Sequence, residues 1–251
     1  MSEDPVVTRL RAAGCVFAEE EAALLVQAAQ DADQLERMVR DREAGRPLEQ
    51  ILGRAEFDGI RVAVEPGVFV PRRRSALVVR TAAERAAPGA VAVDLCCGSG
   101  ALGAALLHRR PDLEVHAADV DPAAVACARR NLPPDRVHEG DLYDALPEAL
   151  RGRVGVLLVN APYVPTDAIA LMPPEARDHE HRVALDGGAD GLDVQRRVCR
   201  EAPEWLAPGG SLVVETGRDQ APTTAGLMAA AALTPEVVAD AEIGGFAVVA
   251  S

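Results

Sequence analysis

The spacing of hydrophobic and polar positions divides the chain into three zones. In residues 1–54 apolar side chains recur at steps of three and four, which predicts amphipathic helices. In residues 55–74 apolar and polar positions alternate next to Asp58-Gly59, a turn signal, which predicts a β-hairpin. We therefore predict an N-terminal helical domain over 1–54 and a hairpin linker over 55–74.

From residue 75 to residue 251, short apolar runs alternate with helical patterns. The predicted strands lie at residues 90–94, 114–119, 136–139, 154–160 and 211–216, and the tail can supply two more, one of them antiparallel. The predicted helices between them cover residues 100–109, 122–131 and 191–206. Such alternation predicts the α/β class, with a mostly parallel seven-stranded sheet and helices on both faces.

The first of these strands ends in a glycine-containing turn that opens a helix. In parallel sheets ligands bind outside the carboxyl ends of the strands, so this turn is a candidate cofactor site. No Gly-Lys-Ser/Thr follows, which excludes a P-loop, but Gly103 completes a G-x-G-x-x-G spacing and leaves NAD open. The candidate cofactor-binding residues of this turn are Asp94, Cys96, Cys97, Gly98, Ser99 and Gly100.

Acidic residues follow the second and third strands. Asp119, with Val120 beside it, lies about 20 residues after the turn, where a carboxylate accepts ribose hydroxyls of NAD and of S-adenosylmethionine alike. The alternative is a helix N-cap, which Asp121 would provide equally well. Asp141 is placed to accept from an adenine amino group, with Leu142 on the ring, although an ordinary loop acid fits almost as well.

The fourth strand ends in Asn160-Ala161-Pro162-Tyr163, which we take as the candidate catalytic motif, and Asn160 is also a candidate cofactor-binding residue. An Asn at this point offers its amide oxygen, and the next main-chain carbonyl, to the NH₂ group of a substrate. Pro162 restricts the conformation of Ala161, and Tyr163 offers a flat apolar wall. The alternative for these four residues is an ordinary strand-to-loop turn.

The chain resembles one known protein family at this motif and at four other segments, which occur in the same order along the sequence. It resembles the glutamine N5-methyltransferases that modify the Gly-Gly-Gln motif of peptide-chain release factors and carry Asn-Pro-Pro-Tyr at this position. The other matching segments are Gly45–Phe57, Val70-Pro71-Arg72, Ala184–Leu192 and Glu215–Gln220. The resemblance implies a class I, Rossmann-like methyltransferase domain over residues 75–251, with S-adenosylmethionine as cofactor and S-adenosylhomocysteine as product.

The chain departs from that family at several points. Ala161 replaces the first proline of the motif, Cys96 replaces the first glycine of G-x-G-x-G, and Leu142 stands where an aromatic residue is expected. Arg73-Arg74-Ser75-Ala76 replaces Pro-x-Thr-Glu. The resemblance implies methylation of a glutamine side chain in a protein, with a release factor as the implied partner. Two alternatives stay open: an N-methyltransferase for small-molecule or peptide amides and amines, and a non-catalytic cofactor-binding module.

Composition narrows the class of partner. The net charge of −13 argues against a nucleic-acid partner, and no apolar run reaches the roughly 18 residues that span a membrane. The N-terminus has no apolar signal core, so we expect a cytoplasmic protein. The cysteines show no metal or disulfide spacing. His179-Glu180-His181 lacks zinc spacing and is predicted to be a solvated loop, so no metal site is expected.

Two further features stay undecided from the sequence. Arg72-Arg73-Arg74 would contact the cofactor carboxylate or an acidic partner surface, and a solvated arginine run is equally compatible with the pattern. Glu215 is either structural or at the border of the pocket.

Overall fold

A computed structural model describes residues 4–251 of the chain. Its N-terminal segment holds the helices α1 (Pro5–Ala12), α2 (Ala18–Ala28), α3 (Ala32–Glu43) and α4 (Leu48–Leu52). The apolar stripes that predict these helices pack against one another around the fully buried Leu10 and Leu25. A buried bidentate pair, with Arg42 Nε 2.6 Å from Glu21 Oε2, ties α3 to α2.

A β-hairpin follows the helices, as predicted. Strands β1 (Arg54–Phe57) and β2 (Ile60–Ala63) pair antiparallel. Asp58 and Gly59 both have positive φ, at 47° and 85°, which suits the turn to the right-handed twist of the strands. The chain then reaches a 3-10 turn at Arg73–Ser75. The division into domains at residues 54 and 74 stays a prediction.

The remaining chain forms a seven-stranded sheet with helices on both faces, which confirms the predicted class. The strand order is β5-β4-β3-β6-β7-β9-β8, and all neighbours as far as β7 are parallel, whereas β9 runs antiparallel to both β7 and β8. The strands are β3 (Val91–Leu95), β4 (Glu114–Asp119), β5 (Val137–Glu139), β6 (Val154–Val159), β7 (Leu206–Glu215), β8 (Pro235–Asp240) and β9 (Gly245–Ala250). The helices are α5 (Ala76–Arg85), α6 (Ala101–Arg109), α7 (Pro122–Ala128), α8 (Pro174–His179), α9 (Asp193–Trp205) and α10 (Ala221–Ala230).

Two boundaries differ from the prediction by more than two residues. β7 begins at Leu206, five residues before the predicted start, because Leu206 already pairs with Val154; a register shift then carries the strand past Gly209 and Gly210 to Ser211, which pairs with Val156. α7 ends at Ala128 instead of residue 131, because the N–H groups of Arg130 and Asn131 bond three residues back and Pro133 follows.

Alternation along the central strands divides the core into two layers. Ala92 of β3 faces the cluster that contains α5 and α6, whereas its neighbour Val93 faces the cluster that contains α9 and α10. The chain proceeds from β3 to β4 on one side of β3 and later to β6 on the other, so the strand order reverses between β3 and β6. Ligand crevices in open α/β sheets form at such a point, at the carboxyl ends of the strands. No helix within residues 4–251 is both long and apolar enough to cross a bilayer.

Candidate active site

A cavity of about 370 Å³ opens at the carboxyl ends of β3 and β6. Its floor is formed by the loops that follow β3, β4, β5 and β6, and its roof by residues 67–72 and 183–185. The predicted site residues that line it are Cys96, Cys97, Gly98, Ser99, Asp119, Val120, Asp141, Leu142, Asn160, Ala161, Pro162 and Tyr163. Asp94 and Gly100 lie behind the lining. The cavity thus brings nearly all the predicted residues together, and their contacts with a ligand stay predictions.

The turn after β3 holds three residues in the left-handed region. Gly98 and Gly100 have φ of 54° and 74°, and Cys96 has φ of 60° without being glycine. A Cβ added at Gly100 would lie 3.1 Å from both Ala128 Cβ and Leu132 Cδ1, so this glycine allows α6 to pack closely on α7. Cys96 carries a side chain, and holding such a residue at this φ destabilises the folded state by about 1–3 kcal/mol.

Asp94 is buried under this turn and supports it. Its Oδ2 accepts a hydrogen bond of 2.8 Å from the Gly103 peptide N–H, at the start of α6. Burial is the main cause that raises the pKa of Asp94 to about 8, and the charge of Asp119 adds to it. The Asp94 side chain therefore lies outside the cavity lining and stabilises the conformation of the turn after β3.

The raised pKa of Asp94 predicts a pH-dependent stability. Between its unfolded pKa of 3.8 and its folded pKa of about 8, the folded chain keeps a proton that the unfolded chain releases, so the free energy of unfolding falls as pH rises through this window. Asp94→Asn keeps an oxygen for Gly103 and carries no charge. We expect it to melt at least about 2–4 °C above the wild type at pH 8, the shift given by 1 kcal/mol in a domain of this size. Thermal unfolding from pH 5 to pH 8 checks this, and an equal shift at every pH would contradict it.

Asp119 joins the turn after β3 to the loop after β4. Its Oδ2 accepts from the Gly98 N–H at 2.8 Å and its Oδ1 from the Asp121 N–H at 2.9 Å. Asp121, not Asp119, caps α7, because its side chain accepts from the Ala123 N–H at 2.9 Å. Each carboxylate oxygen accepts more than one hydrogen bond, so Asp119 can still accept hydroxyl groups from a ligand in the cavity. Burial raises its pKa above the ordinary value.

Asp141 and Leu142 form the wall beyond Asp119. Arg197 Nη2 donates to Asp141 Oδ2 at 2.8 Å, and both residues line the cavity. Arg197 could not be predicted as a site residue, because it lies in α9 and meets Asp141 only in the folded chain. Leu142, at φ 51°, turns a buried apolar side chain to the cavity.

The loop after β6 is held by residues far away in sequence. Asn160 Nδ2 donates to Ser75 Oγ at 3.4 Å, which leaves Oδ1 without a hydrogen-bond partner among residues 4–251. Arg74 Nη2 donates to the Tyr163 hydroxyl at 2.6 Å, and this hydroxyl donates to Glu215 Oε1 at 3.4 Å. Burial raises the pKa of Tyr163, so its hydroxyl stays protonated at neutral pH.

The prediction of a solvated loop at residues 179–181 is wrong for Glu180. Its side chain is fully buried, because this segment returns over residues 67–70 and the His181 N–H donates to the Gly67 carbonyl at 2.9 Å. Glu180 Oε1 accepts from Arg72 Nη2 at 2.6 Å. Arg72 therefore belongs to the roof of the cavity, where it pairs with a buried carboxylate, and a solvated role is excluded for Arg72, whereas Arg73 is exposed and lies outside the cavity lining.

Comparison with known proteins agrees with this geometry. Residues 59–172 match the family described as "Methyltransferase small domain". The chain is 38% identical over 194 residues to a release factor glutamine methyltransferase of Geobacter sulfurreducens, covering 76% of this chain and 67% of that protein. It is 36% identical over 191 residues to the 4-amino-L-phenylalanine/4-methylamino-L-phenylalanine methyltransferase of Streptomyces pristinaespiralis, covering 72% of this chain and 65% of that protein. The matches thus span about two thirds of the length of these relatives.

Solved structures agree on the fold. A methyltransferase from Pyrococcus furiosus superposes with a TM-score of 0.57 at 17% identity, covering 76% of this chain and 88% of that one. The sheet order, the strand-end cavity and the sequence identities lead to one conclusion. The chain belongs to the release factor glutamine methyltransferase family and is a class I, S-adenosylmethionine-dependent methyltransferase.

Proposed function

We propose that the protein transfers the methyl group of S-adenosylmethionine to the side-chain amide nitrogen of a protein glutamine, of the kind found in the Gly-Gly-Gln motif of release factors. The observation that carries the proposal is the position of the Asn160 amide. Its nitrogen is bonded to Ser75, its oxygen has no hydrogen-bond partner in the described part of the chain, and the residue lines the cavity beside Ala161.

The cavity residues fit S-adenosylmethionine. Asp119 retains acceptor capacity for the ribose hydroxyls, and Asp141 retains an oxygen for the adenine amino group. Leu142 supplies an apolar face for the adenine ring, and the carboxylates offset positive charge. When bound, the cofactor supplies a methyl group on a positively charged sulfur.

The protein's contribution to the reaction is to orient the acceptor. An amide nitrogen is a poor nucleophile, because its lone pair is delocalised into the carbonyl. Asn160 Oδ1 and the Ala161 carbonyl can accept its two N–H bonds and so fix the direction of the nitrogen, and such positioning contributes roughly 7–11 kcal/mol in favourable cases. The same oxygens stabilise positive charge that develops on the nitrogen. The proton can leave to water after transfer, so no strong base is needed.

The relative from Streptomyces pristinaespiralis favours a second candidate, an N-methyltransferase for a small aromatic amine. An aromatic amino group carries two N–H bonds on a delocalised nitrogen, as an amide does. Asn160 and Ala161 would hold either acceptor in the same way.

Incubation with isotope-labelled S-adenosylmethionine distinguishes the two candidates. We expect label on the Gly-Gly-Gln glutamine of a purified release factor, located by peptide mass mapping, and none on a release factor in which that glutamine is replaced by glutamate. 4-Amino-L-phenylalanine is offered in parallel. Label on the amine alone would replace the first candidate by the second, and label on neither acceptor would contradict both.

A further inference from the structure

A buried carboxylate lies behind the catalytic loop. Glu215 ends β7, next to β6, and is only 2% exposed. Its Oε1 accepts from Arg74 Nε at 3.2 Å and from the Tyr163 hydroxyl at 3.4 Å. Its Oε2 is buried without a hydrogen-bond partner of good geometry among residues 4–251. The Ser75 hydroxyl nevertheless lies close enough to lower the pKa of this carboxyl, against the stronger effect of burial, which raises it.

Two consecutive residues connect Glu215 to the two ends of the loop. Arg74 contacts the Tyr163 hydroxyl, at 2.6 Å, and Ser75 contacts the Asn160 amide, at 3.4 Å. Both lie within the 3-10 turn Arg73–Ser75, directly before α5, so they are anchored to a packed helix. The first and last residues of the catalytic motif are therefore held from one rigid point.

We propose that Arg74, Ser75 and Glu215 form a clamp that sets the orientation of the Asn160 amide and the Tyr163 ring, and thereby the position of the methyl acceptor. The three are positioning residues, since each acts through Asn160 or Tyr163. The proposal rests on the proposed function in one respect, namely that Asn160 binds the acceptor.

The chemistry of the three groups explains how the clamp works. The terminal torsion χ2 of asparagine is broad and roughly two-fold. Burial alone therefore does not determine whether the amide oxygen or the amide nitrogen faces the cavity. The hydrogen of the Ser75 hydroxyl can rotate, and a hydroxyl whose hydrogen points towards the Glu215 carboxyl presents its lone pairs to Asn160 Nδ2. The amide nitrogen then points to Ser75 and the oxygen is left for the acceptor. The Arg74 guanidinium offsets the negative charge of Glu215. Without this cation, burial of the carboxylate would destabilise the fold.

The sequence of the loop makes such a clamp necessary. Ala161 carries no ring to fix its own φ, and only the following proline restricts it. The loop therefore depends on side-chain contacts for its rigidity, and the clamp supplies them at Asn160 and Tyr163.

Steady-state kinetics of four variants test the clamp. We expect Ser75→Ala and Arg74→Met to lower kcat roughly 10- to 100-fold, the cost of a misplaced reacting group, while the affinity for S-adenosylhomocysteine by calorimetry stays unchanged. Ser75→Thr keeps the hydroxyl and should recover most of the kcat lost in Ser75→Ala. Arg73→Met, which removes the neighbouring arginine of the same run, is the matched control and should behave as the wild type. Wild-type kcat in both Ser75→Ala and Arg74→Met would overturn the clamp.

A measurement that needs no acceptor separates the clamp from the proposed function. The chain has two tyrosines, so ¹³C-labelled tyrosine gives two NMR signals, and Tyr163→Phe assigns them. Arg74 lowers and Glu215 raises the pKa of Tyr163. Arg74→Met should therefore raise this pKa and the isosteric Glu215→Gln should lower it, with circular dichroism confirming that both are folded. Identical titration of Tyr163 in all variants would overturn the clamp, even if the wild type methylates neither acceptor.

Discussion

Asn160→Ala is expected to lower kcat about 100- to 1,000-fold, the cost of removing one preorganised group from a reaction centre. The affinity for S-adenosylhomocysteine should remain, because the predicted cofactor contacts come mainly from the loops after β3, β4 and β5. Single-turnover kinetics with labelled S-adenosylmethionine gives the rate, and calorimetry gives the affinity.

A polar residue of the following turn provides the control. Asp167 is exposed and lies outside the cavity lining, so Asp167→Ala should leave both the rate and the affinity unchanged. Near-normal turnover in Asn160→Ala would remove the acceptor-binding role of this residue. A parallel loss of cofactor affinity would instead mean that the whole loop had been displaced.

Asp119→Ala should produce the opposite result, a loss of cofactor affinity. A hydrogen bond to a charged group contributes about 1.5–3 kcal/mol, so the loss of two predicted ribose contacts weakens binding of S-adenosylhomocysteine at least about 100-fold. The substitution also removes the partner of the Gly98 N–H, which lies in the cavity wall. Calorimetric titration measures the effect.

Asp112 offers a matched control for that second effect. Its carboxylate accepts from the Gly89 N–H at 3.0 Å, as Asp119 does from Gly98, but it lies outside the cavity lining. Asp112→Ala should therefore cost some stability without any change in affinity. Unchanged affinity in Asp119→Ala would contradict the ribose assignment.

The sheet and the site residues at the ends of its strands could be predicted, because both follow from patterns that are local in the sequence. Apolar runs of strand length give the strands, and the rule that ligands bind at strand ends selects Asp119 and Asn160 without any knowledge of contacts. The N-cap alternative for Asp119 was open in the sequence, and one hydrogen bond, from Ala123 to Asp121, decides it.

The support of the site could not be predicted, because it depends on contacts between distant segments. Ser75 and Asn160 are 85 residues apart, and Arg197 is 56 residues from Asp141. Glu180 lies in a polar segment whose sequence predicts a solvated loop. Its burial follows from partners at Val70 and Arg72, which only the tertiary fold supplies.

The left-handed conformation of Cys96 limits how much further change the chain tolerates. Domains are stable by only about 5–15 kcal/mol, and a side chain held at this φ costs about 1–3 kcal/mol of that. A typical destabilising substitution costs about 0.5–3 kcal/mol, which is the same size. A chain with glycine at this position would not bear this cost. It could therefore carry roughly one more destabilising substitution, for example in the loop after β6, and still be as stable as the chain with Cys96.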